Sequence, residues 1–170
     1  IEIDDRRLIE LALEYKADPI LLLSSITENG NFSGERASIL FQNKELQNKV
    51  LDRIIQKMHE KGYRGIDIDF EFINPDDADA FLDFLQNVTT RMNNEGFSVN
   101  VDLAPKVSAD QPGLLYEAHN YPAIGAIANT VLLMTYEWGY SLGPPMAVAP
   151  INQVSRVVSY ALTAIPDYKI

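Results

Sequence analysis

Three carboxylates occupy every second position of one short stretch, residues 64–72, which reads Arg-Gly-Ile-Asp-Ile-Asp-Phe-Glu-Phe. As a strand, it sends Ile66, Ile68, Phe70 and Phe72 to one face and Asp67, Asp69 and Glu71 to the other. Same-face neighbours on a strand stand roughly 6–7 Å apart. Like charges that close raise one another's pKa, one way in which a carboxyl stays protonated near neutrality and acts as a general acid. The plain alternative is an edge strand with a solvated acidic face. The β-branched and aromatic residues between the acids argue instead for burial on at least one side.

Two further polar groups fall at the ends of predicted strands. Tyr136 and Glu137 lie late in the run Thr130–Trp138, where Leu132, Met134, Tyr136 and Trp138 share a face. Asn100, Asp102 and Lys106 lie on or just beyond the alternating run Phe97–Ala104, and are assigned to polar packing in the interior. His59 and His119 are isolated, without metal-ligand spacing to another His or carboxylate.

The elements that must position these groups alternate in type. An amphipathic helix over 4–16 precedes Ile20–Ser25, a continuous apolar run of the kind found in parallel strands covered on both faces. Residues 27–34 carry loop chemistry. A helix over Lys44–Lys61 ends at Gly62, placed for a left-handed cap. Asn74-Pro75 opens the next helix, which stops near Gly96. A weaker helical segment spans Leu114–Ala128, interrupted by Pro122. A last helix covers 150–164, and Tyr168-Lys169-Ile170 reads as the start of another strand. Strands beginning about 30–45 residues apart have the rhythm of βαβ units. A doubly wound open sheet and part of a (β/α)8 barrel both fit; a whole barrel needs about 250 residues.

Composition narrows the class. The 170 residues carry 24 acids against 14 bases, a formal charge of −10, which argues against non-specific binding to nucleic acid or an anionic membrane. No apolar run reaches the ~18 residues of a membrane span. Zero cysteines exclude disulfides, thiolate metal sites and a cysteine nucleophile. A carboxylate trio can also hold a hard cation, as in Mg2+-dependent phosphoryl transfer, but no glycine-rich phosphate loop or basic cluster accompanies it.

Gly65-Ile-Asp67-Ile-Asp69-Phe-Glu71 resembles the signature on the fourth barrel strand of glycoside hydrolase family 18, written DGxDxDxE. Met134-Thr-Tyr136-Glu137-Trp138 resembles that family's MxYD on strand six. The wording of residues 136–150 is similar to the spore-cortex-lytic branch, LysM-associated N-acetylglucosaminidases acting on cortex peptidoglycan. The resemblance implies an α/β fold: an incomplete (β/α)8 TIM barrel, about strands three to the start of seven. It also implies that 1–170 form a single catalytic domain truncated at both ends.

The implied activity is hydrolysis of β-1,4 linkages next to N-acetylglucosamine by substrate-assisted retaining catalysis, with chitinase and a non-catalytic carbohydrate-binding barrel as alternatives. Carried over by position, Glu71 is the acid/base, Asp69 orients the acetamido group and Asp67 supports Asp69. Tyr136 hydrogen-bonds the acetamide oxygen, Glu137 and Met134 contact the sugar, and Trp138 and Tyr140 either stack on sugar faces or pack in the core. No metal and no cofactor are implied. The partner is a glycan containing N-acetylglucosamine, with LysM modules elsewhere in the full-length chain. The location is extracytoplasmic: secreted, or associated with the spore or cell wall. Three departures stand out: Arg64 in place of the first Asp, Glu137 in place of Asp, and Ser24-Ser25-Ile26 where chitinases read SxGG.

Overall fold

A computed structural model describes residues 4–139 and 142–170. Helix α1 (Arg6–Glu14) leads into strand β1 (Ile20–Ser24), followed by helices α2 (Gly34–Gln42) and α3 (Lys44–Lys61). Strand β2 (Gly65–Asp69), a short 3-10 turn (Pro75–Asp77) and helix α4 (Ala78–Asn94) come next. Then follow β3 (Ser98–Leu103), α5 (Tyr121–Ile127), β4 (Thr130–Leu133), α6 (Ile151–Ala164) and a final 3-10 turn at Asp167–Lys169. All strand pairings are parallel, in the spatial order β1-β2-β3-β4. A doubly wound sheet reverses its strand order at a switch point. The described strands never reverse, so the chain steps one way across the sheet, as barrel winding requires.

One face of the sheet is greasy and covered. Ile66, Ile68, Val99, Val101, Leu103 and Val131 pack against Leu51, Met58, Phe84, Leu85, Val88 and Ile124 of the helices. α3 ends as its sequence dictates, with Gly62 at φ 89° accepting the left-handed cap. At the start of α4, the Asn74 side chain accepts from the Asp76 amide, and Pro75 needs no donor there. The other face carries Asp67, Asp69, Asn100 and Asp102.

Several elements differ from the sequence-based expectation. Residues 34–42 form a helix opened by Ser33, whose side chain accepts from the Arg36 amide; the glycine at its first position and the loop-like residues before it hide that start. β1 is not covered on both faces. Leu21 and Leu23 reach the core, while Ile20 and Leu22 are 42% and 55% exposed on the acidic side of the sheet. Pro122 does not interrupt a helix but sits in the first turn of α5, where its missing N–H costs nothing, and Asn120 caps that turn. Residues 168–170 form no strand. Lys169 and Ile170 bond back to Pro166 and Asp167, and the Lys169 ammonium caps the Gly125 and Ala128 carbonyls at the end of α5.

His119 ties the strand ends together. Its Nδ1 accepts from the Ala104 amide just past β3 (2.9 Å), and its Nε2 donates to the Phe70 carbonyl just past β2 (3.2 Å). Burial holds its pKa down at about 4, so the ring stays neutral. The unfolded chain takes up this proton near 6.5 and the folded one only near 4. Stability from this group is therefore complete above that window and lost as pH falls through it, by about 3 kcal/mol. Urea melts between pH 7 and 4 should show the loss, and His119→Gln should make the decline shallower. A second expectation concerns Gly65, where a Cβ would collide with Ser98 Oγ and lie 2.9 Å from both Ile20 Cδ1 and the Ser98 carbonyl oxygen. Gly65→Ala should lower the urea midpoint, at unchanged slope, by the equivalent of about 1–3 kcal/mol.

Candidate active site

Glu71 owes its position to its neighbours in sequence. Phe70 is buried among Phe41, Phe81 and Phe84, with ring centroids 5.2, 6.4 and 5.8 Å away, and its carbonyl is held by His119. Phe72 then takes φ +54°, a conformation that bulky side chains seldom adopt. The alternation predicted through residue 72 therefore stops at Phe70. The Phe72 ring is 43% exposed and tilts against Phe32 at 6.4 Å instead of joining the buried face. Gly34 permits this bend, since a Cβ there would lie 2.9 Å from the Phe72 carbonyl oxygen.

β4 is likewise shorter than predicted. It ends at Leu133, after which the Met134 amide donates to Leu103 and the Thr135 amide turns back onto Leu133. Glu137 sits at φ +58°. The shared face expected for Leu132, Met134, Tyr136 and Trp138 is thus lost beyond the strand. In its place the chain wraps around a hollow of about 270 Å3. Glu71, Met134, Tyr136, Glu137 and Trp138 line it, together with Pro105, Leu115 and Tyr116. The last three were missed in the sequence, where 114–116 read as helix; Pro105, directly after β3, carried the one usable signal. Tyr140 lies outside the described residues. The Trp138 indole N–H is buried with no partner among the described residues.

Asp67 and Asp69 lie on β2 itself and do not line that hollow. Asp67 is in register with Asn100, and Asn100 with Thr130. The Thr130 hydroxyl donates to Asn100 Oδ1 (3.0 Å), and Asn100 Nδ2 donates to Asp67 Oδ1 (2.6 Å) while standing 3.4 Å from Asp102 Oδ1. Asp69 Oδ1 is buried and has no hydrogen-bond partner among the described residues.

Crowding shows in the electrostatics. Burial raises the Asp69 carboxyl, and the charge of Asp67 adds to it. Burial also raises Glu71, helped by Asp69 and Glu137. Asp102 is pushed up to about 7, by burial first and then by Asp67 and Asp69. The Tyr136 phenol is raised too, chiefly by burial and then by Asp102 and Asp69, and stays a hydrogen-bond donor at neutral pH. Lys106 stands apart: it is buried, and its ammonium donates to the Ala109 and His119 carbonyls. Among the described residues no three His, Asp or Glu side chains are grouped to hold a metal ion. The arrangement can deliver a proton from Glu71, with the Tyr136 phenol lining the same hollow and two further carboxyl groups on the preceding strand.

The likeness to known proteins covers most of the chain. The profile of glycosyl hydrolases family 18 matches residues 16–164. A cortical fragment-lytic enzyme of Bacillus cereus is 40% identical over 164 residues, which make up 96% of this chain and 38% of that protein. The crystal structure of the spore cortex-lytic enzyme SleL of Bacillus megaterium QM B1551 superposes with a TM-score of 0.91 at 44% identity, over 96% of this chain and 37% of that one. A chitinase from Chromobacterium violaceum gives a TM-score of 0.90 over 99% of this chain and 53% of its own, at 22% identity, which speaks to the fold alone. The chain therefore spans less than half the length of the curated relatives it matches. Its α/β architecture, with one parallel sheet, is similar to that of the chitinase-like barrels. With the profile extending from the end of α1 to the end of α6, this chain belongs to glycosyl hydrolases family 18.

Proposed function

We propose that the protein to which this chain belongs hydrolyses β-1,4 linkages next to N-acetylglucosamine, in the peptidoglycan of the spore cortex. The observation that carries this reading is the convergence of Glu71, Tyr136 and Glu137 on one hollow, with Asp69 and Asp67 on the preceding strand. In this reading β1 to β4 correspond to strands three to six of a barrel, and residues 1–170 are part of one catalytic domain. The exposure of Leu22 and Leu132 on the acidic face supports it, since a closed barrel would bury both.

Glu71, raised by burial and by its acidic neighbours, protonates the glycosidic oxygen. The leaving group departs as the substrate's own acetamide oxygen closes on the anomeric carbon, the substrate-assisted route of this family. Asp69 accepts from the acetamide N–H and Asp67 supports Asp69. The Tyr136 phenol donates to the acetamide oxygen, while Glu137, Met134 and Trp138 contact the sugar. Glu71, now a carboxylate, takes a proton from the water that opens the cyclic intermediate, and the anomeric configuration is retained. None of these steps calls for a metal or a cofactor. The names of the relatives support a cortex substrate and an extracytoplasmic, spore-associated location, and LysM modules elsewhere in the full-length protein would hold it on the glycan.

In the full-length protein, Glu71→Gln should lower turnover of cortex fragments roughly 10²–10⁴-fold while sugar binding persists. An unaltered rate would remove Glu71 from the acid role. Full activity should remain in EDTA, and a thiazoline mimic of the cyclic intermediate should inhibit competitively. Product analysis on cortex fragments and on chitin oligomers separates the peptidoglycan reading from a chitinase.

A further inference from the structure

Asp102 falls outside the family signature, on the strand next to it. It nevertheless belongs to the carboxylate group. Asn100 Nδ2 lies 2.6 Å from Asp67 Oδ1 and 3.4 Å from Asp102 Oδ1, so one amide nitrogen brings the two acids together. A hydrogen bond between two carboxyl groups requires a proton on one of them. Asp67 takes the shorter of the two contacts from the Asn100 amide, which leaves Asp102 the freer of the pair to carry that proton.

The groups that act on Asp102 are Asp67 and Asp69 of β2 and Glu71 beyond it; none of them is a cation. Tyr136, beyond β4, feels the Asp102 charge in turn. From β4 itself the residue in register is the apolar Leu132. Four carboxyl groups crowded in this way, half-buried and without a counter-ion among them, cannot all ionise near neutrality.

We propose that Asp102 is a positioning residue for the hydrolysis described above. It carries the proton that the crowded acids must share, donates it in a hydrogen bond to Asp67, and so leaves Asp69 an anion able to accept from the acetamide N–H of the substrate. The proton stays between Asp102 and Asp67 throughout; no bond in the substrate is made or broken by it. The inference rests on the hydrolase reading for its purpose but not for its test. The elevation of Asp102 to about 7 agrees with it and gives the pH at which the arrangement fails. Above that pH Asp102 ionises and adds one negative charge beside Asp69 and Glu71. That charge holds the Glu71 proton on to higher pH.

Asp102→Asn keeps an N–H donor for Asp67 and removes the titration. In the full-length protein, the alkaline limb of kcat/KM on cortex fragments should therefore move to lower pH by about one unit, the interaction of two charges several ångströms apart at intermediate dielectric. Asp102→Ala, which removes the donor as well, should also lower kcat. A purely structural role would depress the rate without moving the limb, and an unmoved limb overturns the proposal. A readout free of activity is 13C NMR titration of the aspartate carboxyls: one group should titrate near 7 in the wild type and vanish in Asp102→Asn. No aspartate titrating between about 6 and 8 in the wild type overturns the proposal even if the variant does not fold. If instead Glu71→Gln retains turnover, the hydrolase reading fails, and the NMR titration still decides the placement of the proton.

Discussion

The two-residue period of β2 is the constraint on which the rest depends. Ile66, Ile68 and Phe70 are almost wholly buried, and each such side chain contributes about 1.5–3 kcal/mol when taken from water. That places their alternate neighbours together on the opposite face, and those neighbours are all acids. Holding a carboxyl one pH unit above its ordinary range costs only about 1.4 kcal/mol. The apolar side of the strand therefore wins, and the crowded acids are the result. A shift of register by one residue would bury the acids and expose the apolar residues, so the arrangement is fixed as firmly as the core.

Beyond the strand ends, where the period no longer acts, individual contacts take over. Phe70 is gripped on its ring side by Phe41, Phe81 and Phe84, and on its carbonyl by His119. His119 reaches across to the end of β3, and its own carbonyl is capped by Lys106. Tyr121 adds a second tie, its hydroxyl donating to the Ala104 carbonyl at 2.6 Å. The loops after β2 and β3 are thus held at their roots by buried polar groups with their partners satisfied, a rigid base for a site built largely on loops.

What could be read in the sequence follows the same division. The period-two stretches at 65–69 and 98–103, the Gly62 cap and the Asn74-Pro75 helix start are local signals, and the structure has them where they were expected. Helix α2 went unseen because glycine opens it and its buried Phe41 and Ala37 are too few to mark a period. The strand ends were overextended at Phe72 and Trp138, since alternation in a sequence can outlast the hydrogen bonds that make it a strand. Asp102 reads as polar packing in the interior; its closeness to Asp67 is not legible, since one chain segment does not announce which acids a parallel sheet will set beside it. His119 looked isolated for the same reason: both its partners are backbone groups far away in the sequence.

The left-handed residues at Phe72 and Glu137 each adjoin a proposed catalytic group, one after Glu71 and the other after Tyr136. Such backbones cost on the order of 1 kcal/mol or more for side chains that are neither Gly nor Asn. A laboratory search for thermal tolerance would therefore be drawn to these two positions, where glycine relieves the chain at once. At 137 the same exchange deletes a carboxylate from the hollow, so heat resistance and turnover should trade against each other there.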